Sequence, residues 1–553
     1  MIVLAWGLTL ILVSVAIGAG VLMRVSTSST GAQASGGGSY PSISADGSFV
    51  SFISGSNDLV GGDTNDWTDT FVKDTVSGAT TRDSTSSTGQ QANEPGPTAD
   101  FYSSITADGL AVAFESNACN LIPGNPSCYG QGIYIKNRTT GDTILVEAAA
   151  PNYANGDSGF VGISADASHV AFYSNASNLI NGDTNNASDV FEYAPKIGAL
   201  YLISSDSNGV IGNSAAGNVW NAGYNPGLSV SSDGTYVAFD SNASNLVPDD
   251  TNNASDIFVK NIITGETKRA STDSAGNQGV GPNGGRSDFP SISADGHYVA
   301  FTSYAVLTPD DTNNTQSVFV KDMWTGEVRL ASTDAAGNQT SGYGSMRPSI
   351  SADGRYVAFE SSDPNLVPGD TNRMTDIFVK DMQTGSISRV SVDAAGNQAN
   401  NNSGMPSISA DGRKVAFESL ASNLVPNDTN GSTDVFLAST QAADACTSAK
   451  PSLSLSMKKV YWASNADYTA GHLSIDYQVE NKGGSTAYMS KVTGSSATNG
   501  VSGISGPVSL GNLVPAASHP LTLLYSVPPG VTSFRVSVSG FAKDGCAASY
   551  TYP

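Results

Sequence analysis

The segment Arg24-Val25-Ser26-Thr27-Ser28-Ser29-Thr30-Gly31 stands out of place. It nearly repeats Arg82-Asp83-Ser84-Thr85-Ser86-Ser87-Thr88-Gly89 and aligns without a gap on Arg389-Val390-Ser391-Val392-Asp393-Ala394-Ala395-Gly396. In both later copies it is the last piece of a repeat. At residue 24 it precedes the first complete repeat, and the final repeat, ending near Phe436-Leu437-Ala438, lacks it. A linear array has no reason to keep half a repeat at each end. A ring does, because the first strand can complete the last unit.

The repeat is marked by S-x-S-x-D-G followed by an apolar strand ending V-A-F. Its copies begin at Ser42, Ser104, Gly162 (degenerate), Ser229, Ser291, Ser349 and Ser407, at spacings of about 58–67 residues. In the unit from Pro348 to Gln398, Pro348-Ser349-Ile350-Ser351 reads as a short inner strand. Ala352-Asp353-Gly354-Arg355 is a turn, because Gly permits positive φ and Asp bonds the backbone two residues on. Tyr356–Ser361 and Thr375–Lys380 are apolar strands, and Ser388-Arg389-Val390-Ser391 is a more polar outer strand meeting water. These residues resemble the TolB-like propeller repeats of bacteria, with their S-x-D-G-x-x-[IV]-A-F and D-I-[FY]-V-x-D signatures. The resemblance covers about residues 21–438 and implies a fold; it does not imply a function, because propellers host binding proteins, enzymes and scaffolds alike.

Beyond Ser439 the repeat stops. Leu473–Val479, Leu521–Tyr525 and Phe534–Val538 alternate as strands, separated by turns such as Pro528-Pro529-Gly530. The V-x-N-x-G stretch from Val479 to Gly483 resembles the cell-adhesion-related sandwich domains of bacterial surface proteins, which implies an immunoglobulin-like sandwich over 446–553.

Met1–Met23 carries no charge and, as a helix rising about 1.5 Å per residue, is long enough for an apolar bilayer core of roughly 30 Å. Three readings compete: a secretory signal cut after Ala16 or Gly18, a membrane anchor, or the buried helix of a filament subunit. No Lys or Arg precedes the apolar run, as a signal peptide would want. The segment resembles a mature type IV pilin N-terminus, and departs from it at Ala5, where many bacterial pilins carry Glu.

The net charge of −23 excludes nucleic acid as a natural partner, since phosphate binding needs clustered Lys and Arg. The four cysteines fall as Cys119 with Cys128 in one loop and Cys446 with Cys546 bracketing the C-terminal region, which reads as two local disulfides in an oxidising compartment.

The loop between the second and third strands holds the best constellation. It runs Asp63, Asn65, Asp69 in the first repeat and Asp183, Asn185, Asp189 in the third. It returns as Asp250, Asn252, Asp256, then Asp370, Asn372, Asp376, and finally Asp428, Asn430, Asp434. Oxygens at i, i+2 and i+6 can wrap a hard cation, so Ca²⁺ is the candidate cofactor. The same residues can instead make Asx-turns that brace the backbone entering the third strand. The fifth repeat has Ser317 in place of the final Asp, and the second loses the motif at Gly124–Cys128.

No G-x-S-x-G elbow and no zinc-type His pair occurs. The four histidines are His169, His297, His472 and His519, and the first two read as surface residues just after repeat turns. The sequence therefore predicts an all-β chain in three parts: a hydrophobic N-terminal helix over 1–20, a seven-bladed propeller over 21–440 closed by the strand 21–26, and the C-terminal sandwich. The expected role is a non-enzymatic extracellular or cell-surface protein, a pilus-like filament subunit joined to copies of itself through the N-terminal helix. The alternatives are a secreted or anchored binding and adhesion module with a surface ligand, or a propeller enzyme with an unrecognised site.

Overall fold

The computed structural model describes residues 22–93, 102–122, 130–147, 154–217, 227–339, 342 and 344–440, and the strands between 453 and 552. Residues 22–440 build seven four-stranded antiparallel sheets, one per repeat. In the first, Ser39–Ile43, Phe49–Ser54, Asp69–Asp74 and Thr80–Arg82 pair in chain order. The seventh is assembled from both ends of the repeat region. Leu22–Arg24 pairs antiparallel with Asp434–Ser439, Met23 facing Leu437, and completes the sheet of Lys414–Ser419 and Ser403–Ile408. Beyond that strand Val25 still donates its N–H to the Val435 carbonyl at 2.7 Å, and the Ser26 hydroxyl donates to Asp434 at 2.6 Å.

Each residue of the S-x-S-A-D-G marker has its own task. In the first repeat the second serine, Ser44, accepts the N–H of Phe49 and donates to Asp46, and Asp46 accepts the N–H of Ser48, so the turn is braced from within. The first serine reaches the neighbouring sheet: Ser42 Oγ accepts the N–H of Ile105 at 3.2 Å, and Ser407 Oγ that of Ile43 at 3.2 Å. The residue before Asp links the sheets head to tail. Ala45 donates to Ala107, Ala107 to Ala165, Ala165 to Ser232, Ser232 to Ala294, Ala294 to Ala352, Ala352 to Ala410, and Ala410 back to Ala45, each at 2.9–3.1 Å.

Apolar side chains fill the space between sheets. Within each sheet the Phe of V-A-F stacks across the ladder on the aromatic ring of the third strand, as Phe301 does on Phe319 at 6.0 Å and Phe417 on Phe436 at 5.8 Å. Between sheets, Ala238, Ile257 and Val259 pack on Ile292, Val299 and Phe301, all buried.

The expected architecture needs correction. No sheet closes on itself; the seven sheets stay separate, and single hydrogen bonds join them in a propeller-like circle. Among the described residues there is no α-helix, only the 3-10 turn Pro282–Gly285, and no helix long and apolar enough to cross a membrane. The hydrophobic helix expected over 1–20 is thus no part of the described fold, and those residues lie outside it. The C-terminal strands form two four-stranded sheets, with His472–Asn481 against Ser518–Ser526 burying Leu473, Ile475, Leu523 and Tyr525. Two sheets are what is observed there; nothing marks them as immunoglobulin-like.

The degenerate third marker has a packing cause. Gly296 sits at φ +74, and a Cβ there would overlap the Tyr236 ring of the preceding sheet. In the third repeat Ala167 takes the same left-handed conformation, φ 55, and packs in the cluster that holds the small Ala111, which stands in the preceding sheet where Tyr236 stands before Gly296. Gly296→Ala should therefore lose about 2–4 kcal/mol, the sum of left-handed strain and overpacking. Ala167→Gly should change stability by less than about 1 kcal/mol. Denaturant melts of the two variants check this, and equal losses would refute the packing account.

Candidate functional site

In four of the five Asp–Asn–Asp loops the two carboxylates lie beside an arginine of the chain's own. Arg82 lies 2.8 Å from Asp63 and 3.6 Å from Asp69. Arg269 lies 3.5 Å from Asp250 and 3.7 Å from Asp256, and Arg389 lies 3.2 Å from Asp370 and 3.5 Å from Asp376. In the last repeat the arginine comes from the displaced strand: Arg24 lies 3.5 Å from Asp428 and 3.6 Å from Asp434. The second Asp is further held by a serine, as Asp434 is by Ser26, and by the Asn amide. Asn372 Nδ2 donates to Asp376 at 2.9 Å while its Oδ1 accepts the N–H of Met374 at 3.0 Å. That is the Asx brace of the alternative reading. Asn65 and Asn430 bond in the same way.

The arginine follows the carboxylates from repeat to repeat. Where Ser317 replaces the second Asp, Leu330 stands in the arginine's register position opposite Phe319. Where Gly132 replaces it, Leu145 does, and the Glu147 carboxylate fills in by accepting the N–H of Ile133 at 2.6 Å. The third repeat breaks the rule. Asp183 and Asp189 are both present, Asn185 donates to Asp189 at 2.9 Å, and Leu202 occupies the arginine's position opposite Phe191. Among the described residues no group of three or more His, Cys, Asp and Glu is arranged to hold a metal.

Burial pushes the Asp189 carboxyl up to about 6, and Asp183 repels it further; Asp69 reaches about 6 by burial even with Arg82 beside it, so the lost solvation outweighs either charge. A carboxyl whose folded pKa is raised binds its proton more tightly folded than unfolded, so this residue costs stability above pH 6 and that cost fades as pH falls toward 4. Leu202→Arg should stabilise the protein by about 1 kcal/mol at pH 7.5. The gain should shrink at pH 5. Thermal melts of wild type and variant at both pH values test this, and a gain that grows on acidification would contradict it.

The cysteine and histidine expectations fare differently. Cys119 is disulfide-bonded, while Cys128, Cys446 and Cys546 lie outside the described residues. His169 and His297 are not surface residues, their side chains being 22% and 18% exposed. His169 pairs with the buried Glu192, which holds its pKa up, and His297 stacks between Tyr298 and Trp324. His472 and His519 lie in the paired C-terminal strands.

A second site was not foreseen. Two residues before the first serine of the marker, the inner strand carries a bulge whose residue is in the left-handed region: Tyr40, Phe160, Phe289, Arg347 and Met405, at φ 51–57. A bulge re-aims its side chain, and these five line one central cavity of about 220 Å³ with Tyr102 and Gly227 of the remaining repeats. The amide that the bulge frees is taken by a side chain of the preceding sheet. Glu418 accepts the N–H of Tyr40 at 3.0 Å, Glu360 that of Met405 at 3.1 Å, Thr302 that of Arg347 at 3.1 Å, and Glu115 that of Phe160. Tyr102 meets Tyr40 edge-on at 4.8 Å and Phe160 at 4.5 Å. Across the cavity the Arg347 guanidinium lies over Phe289 at 5.1 Å and bonds Glu360 at 2.6 Å. Burial raises Glu115 to about 8 and Asp240, held by Tyr173 and the N–H of Gly227, to about 7. The sequence signal for this site is the proline after the bulge, at Pro41, Pro290, Pro348 and Pro406, since proline inside a sheet favours bulges.

No protein-family model matches the chain, and no curated protein does. Solved structures do. The TolB of Acinetobacter baumannii aligns at 16% identity over 56% of this chain and 60% of its own, with a TM-score of 0.31. A putative TolB from Agrobacterium tumefaciens aligns at 16% identity over 53% of this chain and 80% of its own, also at 0.31. A prolyl endopeptidase aligns at 11% identity over 81% of this chain and 55% of its own (TM-score 0.41), and the Pyrococcus horikoshii acylaminoacyl peptidase at 9% over 80% and 58% (TM-score 0.40). This chain spans about 60% of the length of the first of these. With TM-scores below 0.5, these alignments add nothing to the propeller-like circle that the seven sheets themselves form. The presence of two peptidases in the same company corrects the expectation that the chain is no enzyme: the fold is compatible with catalysis or without it.

Proposed function

We propose that this chain is an exported protein, displayed at the cell surface, that binds a ligand in the central cavity of its ring. The observation that carries this reading is the set of five bulges that turn Tyr40, Phe160, Phe289, Arg347 and Met405 into one space. Left-handed non-glycine backbone is costly, at about 1 kcal/mol or more per residue, and it clusters where side chains must converge. A concave, largely aromatic pocket with one charged group is also the usual form of a small-ligand site. The uncharged Met1–Met23 stretch and the Cys119 disulfide support export.

A second reading concerns assembly. Met1–Met23 runs with no linker into the strand Leu22–Arg24 that completes the seventh sheet. An apolar segment in that position favours a filament subunit, joined to its copies through residues 1–20, that holds the ring outside.

Protease shaving of intact cells expressing the full chain should release fragments of residues 22–440; full protection until lysis would contradict display. Electron microscopy of native material should reveal filaments if the second reading is right, and monodisperse monomers of the full chain in aqueous buffer would refute it.

A further inference from the structure

We infer that the central cavity is a site for a small organic carboxylate, with its anionic group on Arg347 and its apolar body among the aromatic rings. This rests on the binding reading above and adds the ligand's chemical class. Among the described residues that line the cavity, Arg347 is the one that carries a charge. One of its nitrogens, Nη1, is held by Glu360, its plane rests on Phe289, and 26% of the side chain remains open to solvent. The guanidinium is therefore fixed in place but not used up, with five N–H donors in a rigid fork suited to a carboxylate.

The acidic groups nearby do not compete as cavity charges, because each is turned into the wall. Glu115 accepts the Phe160 N–H and the Gln131 amide, Glu418 the Tyr40 N–H, and Glu360 both Arg347 and the Met405 N–H. Burial also raises the carboxyls of Glu115 and Glu418. A cationic ligand would meet Arg347 head-on, and the Phe289 face is already covered by that guanidinium. The net charge of −23 opposes an anion only at long range, since exposed charges more than about 8 Å away are screened at physiological salt. At about 220 Å³ the cavity is smaller than the roughly 300–1,000 Å³ of drug-sized sites, so the ligand is a compact molecule and not a length of peptide.

Isothermal titration of the full chain with 3-phenylpropionate, 3-phenylpropan-1-ol and 3-phenylpropylamine tests the class. The acid should bind saturably and at least tenfold more tightly than the alcohol or the amine, and higher salt should weaken it. Arg347→Met should reduce acid binding at least tenfold, and Arg347→Lys should reduce it less. Because Arg347→Met leaves Glu360 without its partner, the double variant Arg347→Met/Glu360→Gln, whose melt verifies folding, should show the same loss. If the alcohol or amine binds as tightly as the acid, the carboxylate class is wrong and the cavity remains a binding site. If none of the three probes binds saturably, both the class and the cavity reading fall. Acid binding unchanged in both variants overturns the role of Arg347.

Discussion

Everything in residues 22–440 depends on a circle of seven backbone hydrogen bonds, one from each marker turn to the next, that returns from Ala410 to Ala45. None is unusual in length, and each one, net of water, contributes only about 1 kcal/mol. Their importance lies in what they fix. They set the height of every sheet relative to its neighbours, and thereby the register of the interlocking apolar faces and the level at which the bulges meet. The first serine of the marker repeats the link a few ångströms away, so six of the seven seams carry bonds in both directions, as Ala45 to Ala107 and Ile105 to Ser42. The seam from the third sheet to the fourth lacks the serine, where Gly162 stands, and there His169 takes a position that is aromatic in four other repeats and Glu192 one that is aliphatic in all of them.

Around the rim a second rule operates, one of local charge. Two carboxylates sunk beside a strand end would repel each other and resist burial, and a guanidinium across the ladder relieves both. The arginine disappears with the second aspartate in the second and fifth repeats, which points to the pair as a unit and not to either residue alone. The third repeat keeps both acids without the base, and burial raises its Asp189 carboxyl to about 6, as it does Asp69 beside Arg82.

Much of the fold was legible because the repeat states its rules several times. The strand pattern, the turn chemistry and the displaced segment follow from periodicity and local propensity, and the outer strand expected at Ser388–Ser391 is found at Ile387–Arg389. The Asp–Asn–Asp triads were legible as clusters, but their cationic partner was not. Arg82 is separated from Asp63 by a strand and a turn, and only the antiparallel register brings it back across the ladder. The central site was hidden for a different reason. Its residues run from the aromatic Tyr40, Phe160 and Phe289 to Arg347 and Met405; what all five share is a backbone conformation, which a comparison of residue types passes over. His169 and His297 were misplaced because each is a solitary substitution, and the surroundings of such a residue are set by neighbouring sheets.

The seventh sheet gives this molecule a peculiar relation to time. Ser26 bonds Asp434, 408 positions further along the sequence, so a strand among the earliest made is used only after the last repeat exists. During synthesis the first sheets can form as local hairpins, since each needs only its own few dozen residues. Meanwhile Leu22–Arg24 waits, an unpaired edge with a ready-made partner in any other copy whose seventh sheet is unfinished. The device that unites the ring within one chain is therefore the one most open to exchange between two, and crowding of nascent chains would be felt first at this strand.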